Sequence, residues 1–179
     1  MSEVVRETRE TTVRVEIVSE MARTEIATSV PFLDHMLSTL ARYMGVGLIV
    51  NARGDLPHHI IEDVAIAFGL ALAKFAPAFP ARYGERTVPM DDALVQCAID
   101  IGGRPYYRGR LPSTLYEHWM RSFADSARAT LHLRVLRGRD RHHIVEGAFK
   151  ALGFSLRDAL RPSADVVSTK GTVTIEAAG

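Results

Sequence analysis

The chain contains the stretch Arg53-Gly54-Asp55-Leu56-Pro57-His58-His59-Ile60-Ile61-Glu62 and repeats it 84 positions later as Arg137-Gly138-Arg139-Asp140-Arg141-His142-His143-Ile144-Val145-Glu146. The recurrence continues downstream, with nine identities in the 20 positions from 53 to 72. Upstream, Asp34-His35-Met36-Leu37 is echoed 83 positions later by Glu117-His118-Trp119-Met120. One pattern, a histidine followed after 22 or 23 residues by His-His-x-x-Glu, thus includes six of the seven histidines. We interpret it as a gene duplication that built a two-metal site.

The composition is that of an ordinary soluble globular protein. The chain has 179 residues, of which 47% are hydrophobic and 24% charged, enough for one domain or two halves that share a core. A net charge of +1 does not favour a nucleic acid or an anionic membrane as partner. Residues 1–10 lack the apolar segment of a signal peptide, and the apolar run at 64–73 is too short to span a bilayer. The single cysteine, Cys97, excludes an intrachain disulfide and fits a cytoplasmic location; we expect it to be buried.

Hydrophobic periodicity predicts the same order of elements in both halves. The first half has predicted strands at 11–20, 24–30 and 46–52 and helices at 31–43 and about 58–76. The second half has predicted strands at 93–101, 104–111 and 130–136 and helices at about 113–128 and 139–160. Each half is therefore a β-β-α-β-α unit, and we predict an α/β fold (an α+β sandwich) with sheet on one face and helices on the other. The whole chain, 1–179, would be a single domain of two repeats, about 11–80 and about 92–162, with a tail at 163–179.

The duplicated histidines and glutamates have the spacing of metal ligands. Residues four apart on a helix share a face, so His58 and Glu62 can reach one ion, whereas His59 points about 100° away and needs another. The same division holds in the second copy. Two ions, each with three imidazoles and one carboxylate, account for all eight residues: His35, His58, His59, Glu62, His118, His142, His143 and Glu146. Nitrogen and oxygen ligands without thiolate suit Mn, Fe, Co, Ni or Zn. Four protein ligands leave two positions open on an octahedral ion, as catalysis requires.

Other polar residues have weaker signals. Lys150 follows Glu146 by four positions, which places it on the metal-facing side of the predicted helix. The hydroxyls, ammonium and glycine of Ser168-Thr169-Lys170-Gly171 suit a phosphate group. Asp63 has no counterpart in the second copy, so we keep it out of the metal site, and we interpret Asp91-Asp92 as a turn or helix cap.

Several motifs in this order carry a family resemblance. They are Arg6-x-Thr8-x-Glu10-Thr11, Phe32-Leu33-Asp34-His35-Met36-Leu37, His58-His59-x-x-Glu62-Asp63, Pro89-Met90-Asp91-Asp92-Ala93-Leu94, Gly103-Arg104-Pro105-Tyr106, Glu117-His118, His142-His143-x-x-Glu146-x-x-Phe149-Lys150-Ala151 and Ser168-Thr169-Lys170-Gly171. With them the chain resembles the imidazoleglycerol-phosphate dehydratases, lyases of histidine biosynthesis, over nearly its whole length. Tyr43 departs from the family pattern, which usually has histidine there.

The resemblance implies dehydration of imidazole glycerol phosphate to imidazole acetol phosphate through an imidazolate that bridges two manganese ions. It implies one ion bound by His35, His58, Glu62 and His142, and another bound by His59, His118, His143 and Glu146. It implies substrate contacts from Glu10, Arg82, Arg104, Lys150, Ser168, Thr169 and Lys170. Among these, Glu10 is our candidate for the catalytic acid and base, with a metal-bound water as its rival.

The resemblance also implies a homo-oligomer, a cage of 24 chains with active sites at subunit interfaces. Two other classes of protein remain possible from the residues alone. One is a binuclear metallohydrolase that acts on phosphate esters, and the other is a metal-storage or scaffold protein. The anion-binding candidates argue against a scaffold, because a scaffold needs no phosphate pocket.

Overall fold

Two four-stranded sheets with the same topology make up the outer layers of the protein. The computed structural model describes residues 1–164. Its strands are β1 (Ser2–Glu7), β2 (Thr11–Val18), β3 (Glu25–Ala27), β4 (Gly47–Gly54), β5 (Tyr83–Met90), β6 (Ala93–Asp100), β7 (Tyr106–Arg108) and β8 (Thr130–Arg137). The strand orders are β1-β2-β4-β3 and β5-β6-β8-β7. In each sheet the last pair is parallel and the others are antiparallel, as expected for a duplicated unit.

Four helices of the described residues fill the space between the sheets. They are α1 (Pro31–Met44), α2 (Pro57–Phe75), α3 (Thr114–Ser126) and α4 (Arg141–Ala159). Helix α2 packs on β1 and β2, and α4 packs on β5 and β6. Helix α1 of the first half packs along α4 of the second, and α3 packs along α2. The predicted sheet with helices on one face is thus confirmed for each half, and the halves join helix to helix.

Each half has one more strand than the sequence analysis predicted, so the unit is β-β-β-α-β-α. Strand β1 pairs along β2, with Val4 opposite Val15, and β5 pairs along β6. Both extra strands are sheet edges, and each buries one valine between exposed residues, Val4 in β1 and Val88 in β5. Exposed residues outnumber buried ones in both segments, so neither has the regular apolar and polar alternation that marks a strand. The equivalent strands β1 and β5 begin at residues 2 and 83, before the starts at about 11 and 92 that we predict for the repeats.

Two glycines at equivalent repeat positions permit the close helix pairs between the halves. A Cβ atom on Gly69 of α2 would lie 2.8 Å from the backbone nitrogen of Ala127, just after α3. A Cβ on Gly153 of α4 would lie 2.8 Å from the backbone oxygen of Leu40 in α1. Such contacts require hydrogen in place of a side chain.

The predicted burial of Cys97 is confirmed, since its side chain is fully enclosed within β6. Within residues 1–164, no helix is both long enough and apolar enough to cross a bilayer. The predicted phosphate contacts Ser168, Thr169 and Lys170 lie outside the described residues, as does most of the predicted tail.

Candidate metal centre

Helices α1 and α4 bring together the first group of possible metal ligands. The imidazole of His35 projects from α1, and His142 and Glu146 project from one face of α4. The Oε2 atom of Glu146 lies 3.1 Å from Nε2 of His142 and 3.5 Å from Nε2 of His35. One ligand atom from each residue falls within 4.8 Å of the others, so all three can hold one ion.

Helices α2 and α3 bring together an equivalent second group. His58 and Glu62 share a face of α2, and His118 projects from α3. The Oε1 atom of Glu62 lies 3.2 Å from Nε2 of His118, and its Oε2 atom lies 3.8 Å from Nε2 of His58. The two imidazole rings are stacked with their centroids 5.5 Å apart. We call the two groups the α1–α4 cluster and the α2–α3 cluster.

Each cluster draws its ligands from both halves of the chain. The repeat relates His35 to His118, His58 to His142 and Glu62 to Glu146. The upstream histidine of one half thus meets the His-x-x-x-Glu face of the other half. This exchange follows from the packing of α1 on α4 and of α3 on α2.

The arrangement of the donor atoms suits a metal ion better than it suits hydrogen bonds among these residues. Nε2 of His118 is buried and, within the described part of the chain, has no hydrogen-bond partner. It is close to Glu62, but the 3.2 Å contact is not aligned as a hydrogen bond. A buried ring nitrogen without such a bond is rare, and a lone pair directed at a metal ion accounts for it. Imidazole and carboxylate without thiolate remain suited to several first-row metals.

This grouping differs from the ligand sets that the resemblance implies. Those sets separated His142 from Glu146 and joined His58 to His35 on one ion. In the chain, His142 and Glu146 are four residues apart on α4 and share a face, so both can reach one ion. His58 and Glu62 do the same on α2.

Burial and a neighbouring lysine act in opposite directions on the carboxylate of the α1–α4 cluster. Glu146 is only 7% exposed, which alone would raise its pKa. The Nζ atom of Lys150 lies 3.0 Å from Oε1 of Glu146, and this charge and hydrogen bond lower the pKa overall. Lys150 is therefore placed where its spacing predicts. Its ammonium also lies over the ring of Tyr43, 5.8 Å from the centroid.

The other two histidines of the duplicated pattern, His59 and His143, stand apart from both clusters. Nδ1 of His59 lies 2.7 Å from Oδ1 of Asp55, and Nδ1 of His143 lies 2.8 Å from Oδ1 of Asp92. These hydrogen bonds raise the pKa of both imidazoles. Asp92 also accepts from two backbone N–H groups, and the bond from His143 together with these lowers its pKa to about 2.

The predicted substrate contacts are dispersed in a single chain. Glu10 is exposed in the β1–β2 turn, with Oε2 3.7 Å from Nδ1 of His59. Arg82 forms two hydrogen bonds to Asp100, at 2.7 and 3.0 Å. Arg104 is exposed in the loop before β7.

One set of polar contacts near the site was missed by the sequence analysis. Asp63 is 7% exposed and accepts hydrogen bonds from Arg6, at 3.0 Å, and from the hydroxyl of Thr11. The backbone N–H of Glu10 in turn donates to the Thr8 hydroxyl at 3.1 Å. These bonds attach the turn that carries Glu10 to helix α2. The only signal in the sequence was an aspartate beside a ligand with no partner in the second repeat.

The fold and the clusters define a duplicated α/β protein with two equivalent groups of two histidines and one glutamate. The family model for imidazoleglycerol-phosphate dehydratase matches residues 28–156. An imidazoleglycerol-phosphate dehydratase of Pyrobaculum calidifontis is 48% identical over 94% of this chain and 97% of the relative. One of Desulforudis audaxviator is 42% identical over 96% and 97%.

Solved structures agree with these relatives. The crystal structure of the dehydratase from Pyrococcus furiosus, in complex with (S)-C348, superposes with a TM-score of 0.86 at 40% identity, covering 95% of this chain and all of that one. The Staphylococcus aureus enzyme gives a TM-score of 0.82 at 31% identity, covering 90% of this chain and 99% of that one. The chain belongs to the imidazoleglycerol-phosphate dehydratase family and is an enzyme of the lyase class. The resemblance inferred from its motifs is confirmed.

Proposed function

We propose that this chain dehydrates imidazole glycerol phosphate to imidazole acetol phosphate, a step of histidine biosynthesis, with two divalent ions, Mn²⁺ by resemblance, in each active site. The observation that carries the proposal is the pair of equivalent clusters, each of two imidazoles and one carboxylate, in a chain of this family. The single buried thiol of Cys97 fits a cytoplasmic location for the reaction.

Each cluster offers three ligands, and a neighbouring copy of the chain supplies a fourth. His59 and His143 are the histidines of the duplicated pattern that neither cluster uses, and both lie at the surface, with side chains 27% and 29% exposed. Adjacent residues at a helix start point about 100° apart, so His59 faces away from the ion of His58. The same holds for the pair at the start of α4.

Two copies of the chain donate a histidine to each other when the α1–α4 cluster of one copy lies beside the α2–α3 cluster of the other. His59 of the second copy then completes the α1–α4 cluster, and His143 of the first completes the α2–α3 cluster. The site therefore forms only between copies, which supports a homo-oligomer. A closed cage of 24 chains, as the resemblance implies, would repeat this contact at every subunit.

The dehydration breaks a C–O bond at the carbon next to the imidazole ring and a C–H bond at the carbon after it. When bound, the two ions supply Lewis-acid stabilisation of negative charge on the imidazole of the substrate. The negatively charged ring expels the hydroxyl, which leaves as water with the proton that the ring lost, and Glu10 then accepts the proton from the next carbon, so that an enol remains. The enol becomes the ketone when its O–H proton is lost and a proton is added to the carbon next to the ring.

Two sets of side chains support this chemistry. Hydrogen bonds from Asp63 to Arg6 and Thr11 anchor the turn that carries Glu10. Lys150 keeps Glu146 ionised and therefore able to bind a cation. Other cationic and hydroxyl groups bind the phosphate and orient the substrate. These are Arg82, Arg104, Ser168, Thr169 and Lys170.

The test is turnover of imidazole glycerol phosphate by chelator-stripped protein, with and without Mn²⁺. We expect imidazole acetol phosphate only when metal is added, and no phosphate release from generic phosphate esters. His118→Ala should lose both bound metal and turnover. His132→Ala is the matched control, because His132 is exposed on β8 and stands outside both clusters. Folded, metal-loaded protein that turns over nothing, or that hydrolyses esters instead, would exclude the proposed reaction.

A further inference from the structure

His59 and His143 are each held by a carboxylate on the same ring nitrogen. Asp55 contacts Nδ1 of His59 at 2.7 Å, and Asp92 contacts Nδ1 of His143 at 2.8 Å. A carboxylate is only an acceptor, so the hydrogen at each ring sits on Nδ1. The lone pair of the neutral imidazole is then on Nε2, the nitrogen farther from the helix backbone.

The two carboxylates occupy positions that the duplication does not relate. Asp55 precedes His59 by four residues at the end of β4, and the residue equivalent to it in the second repeat is Arg139. Asp92 comes instead from the β5–β6 turn, 51 residues before His143. The same contact has thus arisen from two different places in the chain. A contact that was merely inherited from the duplication would use equivalent residues.

Both carboxylates are themselves fixed by backbone hydrogen bonds. Oδ1 of Asp55 accepts from the N–H of Leu56 at 2.7 Å. Oδ2 of Asp92 accepts from the N–H groups of Arg139 at 2.7 Å and Asp140 at 3.2 Å, in the loop that enters α4. An anchored carboxylate fixes both the tautomer and the orientation of the imidazole that it contacts.

From this geometry we infer that Asp55 and Asp92 are positioning residues, which hold His59 and His143 with Nε2 available to the metal ion of a neighbouring copy. The inference rests on the proposed function, since it concerns the ions of that site. It assigns to each of the two interface ligands a partner that the ligand motifs do not contain.

Asp91 provides a control in the same turn as Asp92. Its Oδ2 atom lies 3.3 Å from Nε2 of His143, the nitrogen that the ion would use, but unlike the contact of Asp92 with Nδ1 this one is not aligned as a hydrogen bond. An ion bound there takes the place of Asp91, so removing the Asp91 carboxylate should not weaken metal binding. Asp91→Asn and Asp92→Asn alter charge equally within one turn, yet only the second should impair the site.

The substitutions follow from the bonds of each carboxylate. Asp92→Asn keeps one oxygen for the backbone N–H groups, so its amide nitrogen faces His143 and donates to Nδ1, which selects the wrong tautomer. Asp55→Ala is needed at the other site, because one oxygen of Asp55 serves both the backbone and His59. Each variant is combined with His59→Ala and with His143→Ala.

The measurement is Mn²⁺ affinity of the full chain, by competition with a fluorescent chelator, together with the mass of the assembly with and without Mn²⁺. Asp55→Ala and Asp92→Asn should each weaken Mn²⁺ binding about 10–100-fold. In the double variants, Asp92→Asn should cause no further loss of Mn²⁺ affinity beside His143→Ala but its full loss beside His59→Ala. Asp55→Ala should cause no further loss of Mn²⁺ affinity beside His59→Ala but its full loss beside His143→Ala. A general structural defect would instead lower the Mn²⁺ affinity further in both histidine variants.

Two results overturn the inference. One is wild-type Mn²⁺ affinity in Asp55→Ala and Asp92→Asn while the histidine variants lose metal. The other is a further loss of Mn²⁺ affinity that is equally large in both histidine variants. If the histidine variants themselves keep wild-type affinity, the proposed metal site fails instead, so the two failures are distinct. Asp55 is exposed at the end of β4, so the measurements on Asp55→Ala decide between these outcomes even if Asp92→Asn does not fold.

Discussion

Replacement of Gly69 by alanine tests the helix contact that assembles the α2–α3 cluster. The new Cβ would lie 2.8 Å from the backbone nitrogen of Ala127 and 2.9 Å from the backbone oxygen of Phe123. Both distances are about 0.5 Å shorter than ordinary van der Waals contact. Backbone atoms cannot rotate away as a side chain can, so α3 has to move from α2. His118 is on α3, and its ligand partners are on α2.

The change that Gly69→Ala makes in the free energy of unfolding results from two opposing effects. Alanine is better than glycine in a helix interior by about 1 kcal/mol. Overpacking of a close contact costs about 1–3 kcal/mol, and rigid backbone neighbours favour the upper part of that range. We therefore expect the free energy of unfolding of the metal-free protein to fall by about 1–2 kcal/mol. A helix displacement of about 0.5 Å also exceeds the roughly 0.2 Å tolerance of metal–ligand distances, so Mn²⁺ affinity should fall as well.

The assay is urea unfolding of metal-free protein, followed by Mn²⁺ titration. Gly153→Ala should give the same result in the α1–α4 cluster, because its Cβ would lie 2.8 Å from the backbone oxygen of Leu40. Gly147→Ala is the control on α4, since its Cβ meets only side chains, the nearest being Val95 at 3.1 Å. If Gly69→Ala raises stability by about 1 kcal/mol and leaves metal binding intact, the helices are not in the close contact described.

Three further outcomes are expected. The Cys97 thiol should not react with Ellman's reagent at pH 8 until urea unfolds the chain, because burial raises its pKa to about 12; rapid labelling of folded protein would contradict this. Asp63→Asn should lower kcat more than it changes KM, because the turn carrying Glu10 loses its charged anchor; equal loss in a variant that already lacks the Glu10 carboxylate would contradict this. Asp140→Ala should cost about 0.5–2 kcal/mol in urea unfolding, because its side chain caps two N–H groups of α4; no loss would show the cap to be dispensable.

The helix spacing predicted the pairs of ligands that share a face. His58 with Glu62, and His142 with Glu146, are pairs four residues apart, and this alone places them together wherever a helix forms. The duplication of the fold could be predicted for the same reason, because repeated local patterns form repeated local structure. Edge strands β1 and β5 were not predicted, since each buries few apolar side chains and lacks a regular alternation of apolar and polar residues.

What the sequence by itself determined is the set of ligand-type residues, the helices that carry them and the family. What only the tertiary structure decided is which residues meet. His35 joins the α4 pair and His118 joins the α2 pair because helices of one half pack against helices of the other. The partnership of Asp92 with His143 likewise depends on a turn and a helix start 51 residues apart. Such contacts depend on how whole faces fit together, and no local pattern encodes them.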